Sequence, residues 1–304
     1  MLFTALLNTF AMNLLPILLL SGAGFILGKT LQVEPRPLGQ VIFYLFSPIL
    51  VFNLLWNNRL SWREAGGVVL YALLLCLLLA SLMALALART KLPTPTRLGL
   101  ILSVAFANTG NYGLPLVAFA FGKEALAYAT IYFVTNSLMF NTFGVMVASL
   151  GHLNVSQAIR NLLRVPTIYA LLAAVLAIHF RLPMPAPLQR ALDLGASGAI
   201  PLMLVLLGLE LQKVSWSNHR RLIGSTVLVR LLGAPLLAFL LNLPFGFQGK
   251  ALQAILIESS MPTAITTTVL ASEYRLDTPA VTAVVFLSTL LSPLTLTPLI
   301  FFLQ

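Results

Sequence analysis

Apolar residues run through this chain in long blocks divided by short polar connections. Ten blocks read as membrane-crossing helices: 4–28, 38–56, 66–88, 97–121, 125–149, 163–180, 188–210, 221–242, 250–271 and 278–302. Val68 to Leu87 carries no charge. At about 1.5 Å per residue, that length crosses about 30 Å of hydrocarbon. Strand-like alternation is absent, which speaks against a β-barrel. The pattern predicts an all-α, multi-pass membrane protein. Two blocks are interrupted. Asn108-Thr109-Gly110-Asn111-Tyr112-Gly113-Leu114-Pro115 brings amides, glycines and a proline into the fourth, and Ser259-Ser260-Met261-Pro262-Thr263 breaks the ninth. Backbone leaves the helix at membrane depth only where protein buries it or a wet cavity receives it. Two interrupted spans in corresponding halves point to a transporter's binding site.

The halves repeat. Pro37-Leu38-Gly39-Gln40 opens span two, and Pro187-Leu188-Gln189-Arg190 opens span seven. Pro48 and Pro201 interrupt these spans, and Leu60-Ser61-Trp62 and Val214-Ser215-Trp216 close them. Pro115 and Pro262 then occupy the same place in each half. The stretch Gly151 to Leu162, with His152, Asn154, Ser156 and Arg160, forms the joint. Residues 1–150 and 151–304 are the expected repeats. Because five is odd, the second copy enters the membrane from the opposite side, giving a 5+5 inverted repeat.

Composition agrees with this reading. Charged residues make up 9% of the chain and mean hydropathy is +0.96, against roughly 25% charged in soluble domains. The net charge of +10 lies in loops, as topology signals and lipid-headgroup contacts rather than a nucleic-acid patch. Loops after odd-numbered spans hold Lys29, Arg36, Arg89, Lys91, Arg97, Arg160, Arg164, Lys213, Arg220, Arg221 and Arg275. The other loops hold Arg59, Arg63, Lys123, Arg181, Arg190 and Lys250. The richer side should be cytoplasmic, placing both termini on the non-cytoplasmic face. Met1 to Leu27 lacks the basic start of a secretory leader and reads as a retained span. Cys76 is the sole cysteine and reads as a small buried hydrophobe. His152, His179 and His219 sit apart at span ends, so no metal or other cofactor is expected, nor an enzyme's catalytic constellation.

At the first break, Pro115 removes a backbone donor and Gly110 and Gly113 tolerate unusual angles. A half-helix beginning near Gly113 would offer unpaired amides and a positive dipole end to an anion. Pro262 would do the same in span nine. If the breaks meet, a carboxylate is the natural guest. Asn108, Thr109, Asn111 and Tyr112 could line its site, with Thr263, Thr266, Thr267 and Thr268 from the second break and Asn136 and Asn141 from span five. Hydrogen bonds between neighbouring helices are the bland role for the same groups. Arg230 and Glu258 lie within spans, where a charge costs roughly 2.5–3.5 kcal/mol on insertion scales. Arg230 could counter the substrate's charge, Glu258 could carry a coupling proton, or the two could pair with each other. Asp193 and Glu210 lie near span ends, where solvent or headgroups account for them.

The chain resembles the auxin efflux carrier family of bacterial and plant membrane transport proteins. The first-crossover motif Asn108 to Pro115 carries the likeness, with Met261-Pro262-Thr263-Ala264, Leu270-Ala271-Ser272-Glu273-Tyr274 and Leu287-Ser288-Thr289-Leu290. The resemblance implies crossing broken helices, an architecture shared with bile acid transporters and NhaA-like proteins. It implies a scaffold from residues 1–60 and 163–212 and a transport domain from 64–150 and 219–304. An elevator-like movement, small carboxylates as cargo and a homodimer through the scaffold are further implications. By position, Asn108 matches the family's substrate-contacting asparagine, and Pro115 and Pro262 match its two prolines. Span three offers only Tyr71, Cys76 and Ser81 as polar groups, which puts auxin itself in doubt, and the long hydrophilic central loop of the plant carriers is missing. The expected function is secondary transport of small organic anions across the bacterial plasma membrane, with proton coupling through Glu258 as one version. The competing reading is a cation/proton or sodium-coupled antiporter or symporter, which would want paired acids or an acidic cluster beside the crossovers.

Overall fold

The structure is a computed structural model that describes residues 2–58, 60–149, 160, 163–212 and 219–304. The joint around His152, Asn154 and Ser156, the closing motif Val214-Ser215-Trp216, and Arg59 and Lys213 lie outside the described residues. Every long described element is a helix. The main ones are α1 (Leu2–Thr30), α2 (Pro35–Asn57), α3 (Trp62–Ala88), α4 (Thr94–Ala105), α5 (Thr109–Ala148), α6 (Pro166–His179) and α7 (Ala186–Leu211). Then follow α8 (Arg220–Phe245), α9 (Gly249–Ser260), α10 (Thr266–Glu273) and α11 (Thr278–Leu303). Seven of them, α1, α2, α3, α5, α7, α8 and α11, are long and apolar enough to cross a bilayer. Their outward faces present Phe3, Leu85, Leu194, Leu294 and Phe302, the surface that lipid tails accept. This is an integral, multi-pass membrane protein.

Proline governs the local shape. A proline ring pushes away the carbonyl four residues earlier and supplies no donor. Four helices respond by widening one turn instead of breaking: Phe10–Leu14 before Pro16, Ile42–Phe46 before Pro48, Thr109–Gly113 before Pro115 and Val229–Gly233 before Pro235. Each widened turn holds the displaced carbonyl and adopts i→i+5 bonding, a form concentrated at functional positions. Asn13 and Asn141 turn their amides back onto carbonyls of their own helices, at Thr9 and Ser137.

α5 is not straight. Gly122 has φ 79 and ψ −171, a region essentially restricted to glycine. It makes the corner between the expected fourth and fifth spans. Elsewhere glycine permits close packing: a Cβ on Gly208 would sit 1.8 Å from the Ser21 carbonyl oxygen, and one on Gly24 2.2 Å from that of Val205. α1 and α7 therefore pack nearly backbone to backbone. α6 packs on α2, and α9 packs on α5. Ser61 and Glu64 form a capping box at the start of α3. Asp277 caps α11 and accepts a 2.9 Å bond from Thr96 Oγ1, tying the start of α4 to that of α11.

Candidate functional site

Two helices stop abruptly in the interior. α4 ends at Ala105, and Phe106 is extended, with φ −107 and ψ 117. α9 ends at Ser260, and Met261 is extended, with φ −60 and ψ 149. The unwound segments lie side by side as an antiparallel pair. The Asn108 amide donates to the Pro262 carbonyl at 2.8 Å, the Ala264 amide donates to Phe106 at 2.9 Å, and Ala107 faces Thr263 between them. Each strand thus supplies the partners that the other lost on leaving its helix. Thr263 adds a 2.7 Å bond from its hydroxyl to the Ser103 carbonyl, and its amide donates to Ser288 Oγ at 3.2 Å.

Past the pair, α5 restarts at Thr109 with Asn108 as its N-cap. The half-helix begins four residues before Gly113, because the turn preceding Pro115 widens rather than opens. The amides of Gly110, Asn111 and Tyr112 fall in its first turn, where no earlier helical carbonyl can reach them. α10 restarts at Thr266. Two helix N-termini therefore leave the paired strands, and two C-termini, those of α4 and α9, enter them.

The C-terminal ends are held by Arg230, which is 1% exposed. Its Nε donates to the Met261 carbonyl at 2.8 Å, one terminal nitrogen to Val104 at 2.7 Å, and the other to Ser259. Carbonyls of both broken helices thus converge on one guanidinium. Helix C-termini favour a cation, and the fork geometry lets a single side chain serve three acceptors. Glu258 is fully buried, and neither of its oxygens has a hydrogen-bond partner. The Arg230–Glu258 ion pair, one of the alternatives open for these two charges, is not made.

A cavity of about 1040 Å³ opens in front of the paired strands. The crossover wall comprises Ala107 to Asn111, Asn136, Asn141, Thr266 and Thr268. The opposite wall is built from α2 and α7, with Arg36, Gln40, Ser47, Met203 and Glu210. Asn136 Nδ2 donates to Thr109 Oγ1 at 3.1 Å and to the Ala107 carbonyl at 3.2 Å, bracing the floor. Asn108 is 5% exposed, and its side-chain amide nitrogen has no partner. That leaves a buried, unused donor at the N-cap of a half-helix.

Residues 9–300 match the family described as Membrane transport protein. The chain belongs to this family. Among relatives, a Methanothermobacter thermautotrophicus protein named an uncharacterized transporter is 28% identical over 92% of this chain and 94% of its own. A second uncharacterized transporter, MJ1031 of Methanocaldococcus jannaschii, is 25% identical over 88% of this chain and 89% of its own. A Rhizobium meliloti protein with a provisional malonate-transporter name is 26% identical, covering 88% of this chain and 86% of its own. Family and relatives alike are described as transporters.

Set against the sequence expectations, Asn108, Thr109, Asn111, Asn136, Asn141 and Thr266 come together on one cavity wall. Tyr112, Gly113, Pro115, Pro262 and Thr263 stand behind that wall. Tyr112 accepts a 3.1 Å bond from Ser292 of α11, and Gly113 packs against Glu258. Arg230 and Glu258 also stand outside the cavity lining. Among the described residues, no three His, Cys, Asp or Glu side chains gather as a metal site. Sequence reasoning missed the α2–α7 wall; polar Gln40 and Ser47 inside an apolar block were its available signal.

Proposed function

We propose that this membrane transport protein is a secondary transporter of small organic anions, carboxylates above all. The unpartnered Asn108 amide carries the reading. It sits beside first-turn amides at a helix N-terminus, on the floor of a cavity large enough for a small acid. These donors are neutral and prepositioned, which suits a negative guest without a lysine or arginine on the crossover wall. The provisional malonate name of one relative supports the same cargo class.

The architecture we propose is ten spans in a 5+5 inverted repeat, with Gly122 turning span four into span five. Reciprocal packing supports it: span one lies on span seven as span six lies on span two. Residues 1–60 with 163–212 then form a scaffold, and residues 64–150 with 219–304 the transport domain, with the cavity at their junction. Arg36, Glu210, Glu273 and Thr278 also line the cavity, all beside loops following odd-numbered spans. In the proposed topology those loops face the cytoplasm of a bacterial plasma membrane, both termini lie outside, and this conformation is inward-facing. An elevator-like slide of the transport domain would carry the site to the other face, and a homodimer through the scaffold would anchor that motion.

Uptake of labelled mono- and dicarboxylates into proteoliposomes, with and without pH and sodium gradients, tests the proposal. Saturable uptake of a carboxylate, weakened by Asn108→Ala, is the expected result. Saturable transport of a cation or sugar, indifferent to that substitution, would overturn it.

A further inference from the structure

We infer that Glu258 is a proton site on the reverse side of the substrate site, and that it binds a proton together with the transported anion. The inference rests on the proposed anion transport and adds its coupling ion.

The Glu258 carboxyl lies directly under the first turn of the α5 half-helix. A Cβ on Gly113 would come 2.2 Å from Oε2 and 2.8 Å from the carboxyl carbon. The Gly113 amide in turn donates to the Asn108 carbonyl at 3.0 Å. One turn of helix therefore has Glu258 against one side and the substrate's donor at its tip. That placement has an electrostatic consequence. A substrate anion and an ionised Glu258 would draw on the same positive helix end and repel each other through buried, poorly screened surroundings. The site accommodates one negative charge at a time. An anion in the cavity favours the protonated acid, and a proton on Glu258 favours the anion, by the same factor in both directions.

Neighbouring groups leave the proton as the natural occupant. The titratable side chains on elements packed against α9 are Tyr132, Tyr128, Lys123 and Glu124 of α5, Tyr112 of its first turn, Tyr71, Cys76, Arg63 and Glu64 of α3, and Arg230 of α8 with the exposed Arg220 and Arg221 at its start. Tyr132 receives the hydroxyl of Ser259, Tyr112 that of Ser292, and Tyr71 donates to the Ala238 carbonyl. Tyr128 and Glu64 bond one another near the start of α3. Arg230 is committed to three carbonyls. A metal cation would need several oxygens, and the helix-end carbonyls that could supply them already hold Arg230.

The balance is simple: carboxylate plus proton gives the neutral acid on loading, and the reverse follows on release, so one proton crosses with each anion. Two measurements test this. In proteoliposomes, the apparent affinity for labelled malonate should fall by up to about tenfold per pH unit as pH rises, over a range where malonate keeps its charge. Malonate influx should also acidify an entrapped pH dye. Glu258→Gln should bind malonate with flat pH dependence and move no protons. The second measurement needs no substrate: infrared difference spectra of purified protein titrated with acid should show a buried carboxylic-acid carbonyl band that Glu258→Gln removes. Retained pH dependence in Glu258→Gln, sodium-driven uptake lost in that variant, or an unchanged infrared spectrum would overturn the inference. Absence of malonate transport in the wild type would count against the transport reading alone, since the infrared measurement still decides for or against the proton site.

Discussion

Removing Arg230 tests what holds the crossover together. Arg230→Met keeps an unbranched apolar stem in the same buried space but withdraws donors from the carbonyls of Val104, Ser259 and Met261. An orphaned buried acceptor costs about 1–3 kcal/mol. The three belong to one network and do not add fully, so the loss should resemble that for breaking a buried charged cluster, about 3–5 kcal/mol. For a chain of this size, that corresponds to a fall on the order of 10 °C in the thermal midpoint, read by intrinsic fluorescence in detergent. Arg230→Lys keeps the charge but loses the planar fork, and should recover only part of the loss. The contrasting case is an arginine that contacts substrate: charge-preserving lysine would then keep most transport, with the damage confined to KM and the midpoint unmoved. A wild-type midpoint in Arg230→Met would refute the clamp.

Asn108→Ala should raise the KM for the transported carboxylate by roughly 10- to 100-fold, since a hydrogen bond to a charged group contributes about 1.5–3 kcal/mol; the thermal midpoint should hold, as the side-chain nitrogen bonds nothing in the protein. Gly113→Ala drives a methyl to within 2.2 Å of Glu258 Oε2, an overpacking cost of about 1–3 kcal/mol, and adding Glu258→Ala should restore the midpoint. Gly122→Ala must adopt φ 79 and ψ −171 at about 1–3 kcal/mol, lowering the yield of monodisperse protein on size exclusion. Gly208→Leu should separate α1 from α7, because even a Cβ would lie 1.8 Å from the Ser21 oxygen. Gly66→Ala, with open space around it, is the matched control and should leave the midpoint unchanged.

Both chain breaks were legible because polar, glycine and proline residues interrupt apolar blocks there, and hydrocarbon tolerates that only for a reason. Their exact character was not legible. Pro115 looks like a breaker in sequence, yet the helix absorbs it with a wide turn, as it does at Pro16, Pro48 and Pro235. The true break falls at Phe106 to Asn108, where the rewards are backbone bonds to a segment more than 150 residues away. No local pattern encodes such partners. Arg230 was conspicuous as a charge in an apolar span, but its acceptors are main-chain carbonyls, which every residue possesses. The pair with Glu258, one of the roles the sequence leaves open for it, is not the one the fold uses. The α2–α7 wall escaped because its polar residues are sparse and become a surface only when packing brings two distant helices together.

The arrangement of helix ends gives a physical basis for the proposed anion site in a membrane interior, without a cation on its crossover wall. Four half-helix ends converge on the paired strands. Left alone, the two C-terminal ends would present negative partial charge behind the site and oppose the two N-terminal ends in front of it. Arg230 fills the rear position and ties off those carbonyls, so the field in the cavity comes from unopposed N-terminal amides with a full positive charge behind them. The amides fix position and Arg230 fixes sign. On the proposed elevator motion, such a site would keep its affinity for an anion in both orientations, because every contributor moves with the crossover. Among the described residues Glu258 is the buried acid beside that positive field, and on the proton coupling inferred above its protonation state would decide whether the site attracts its guest or lets it go.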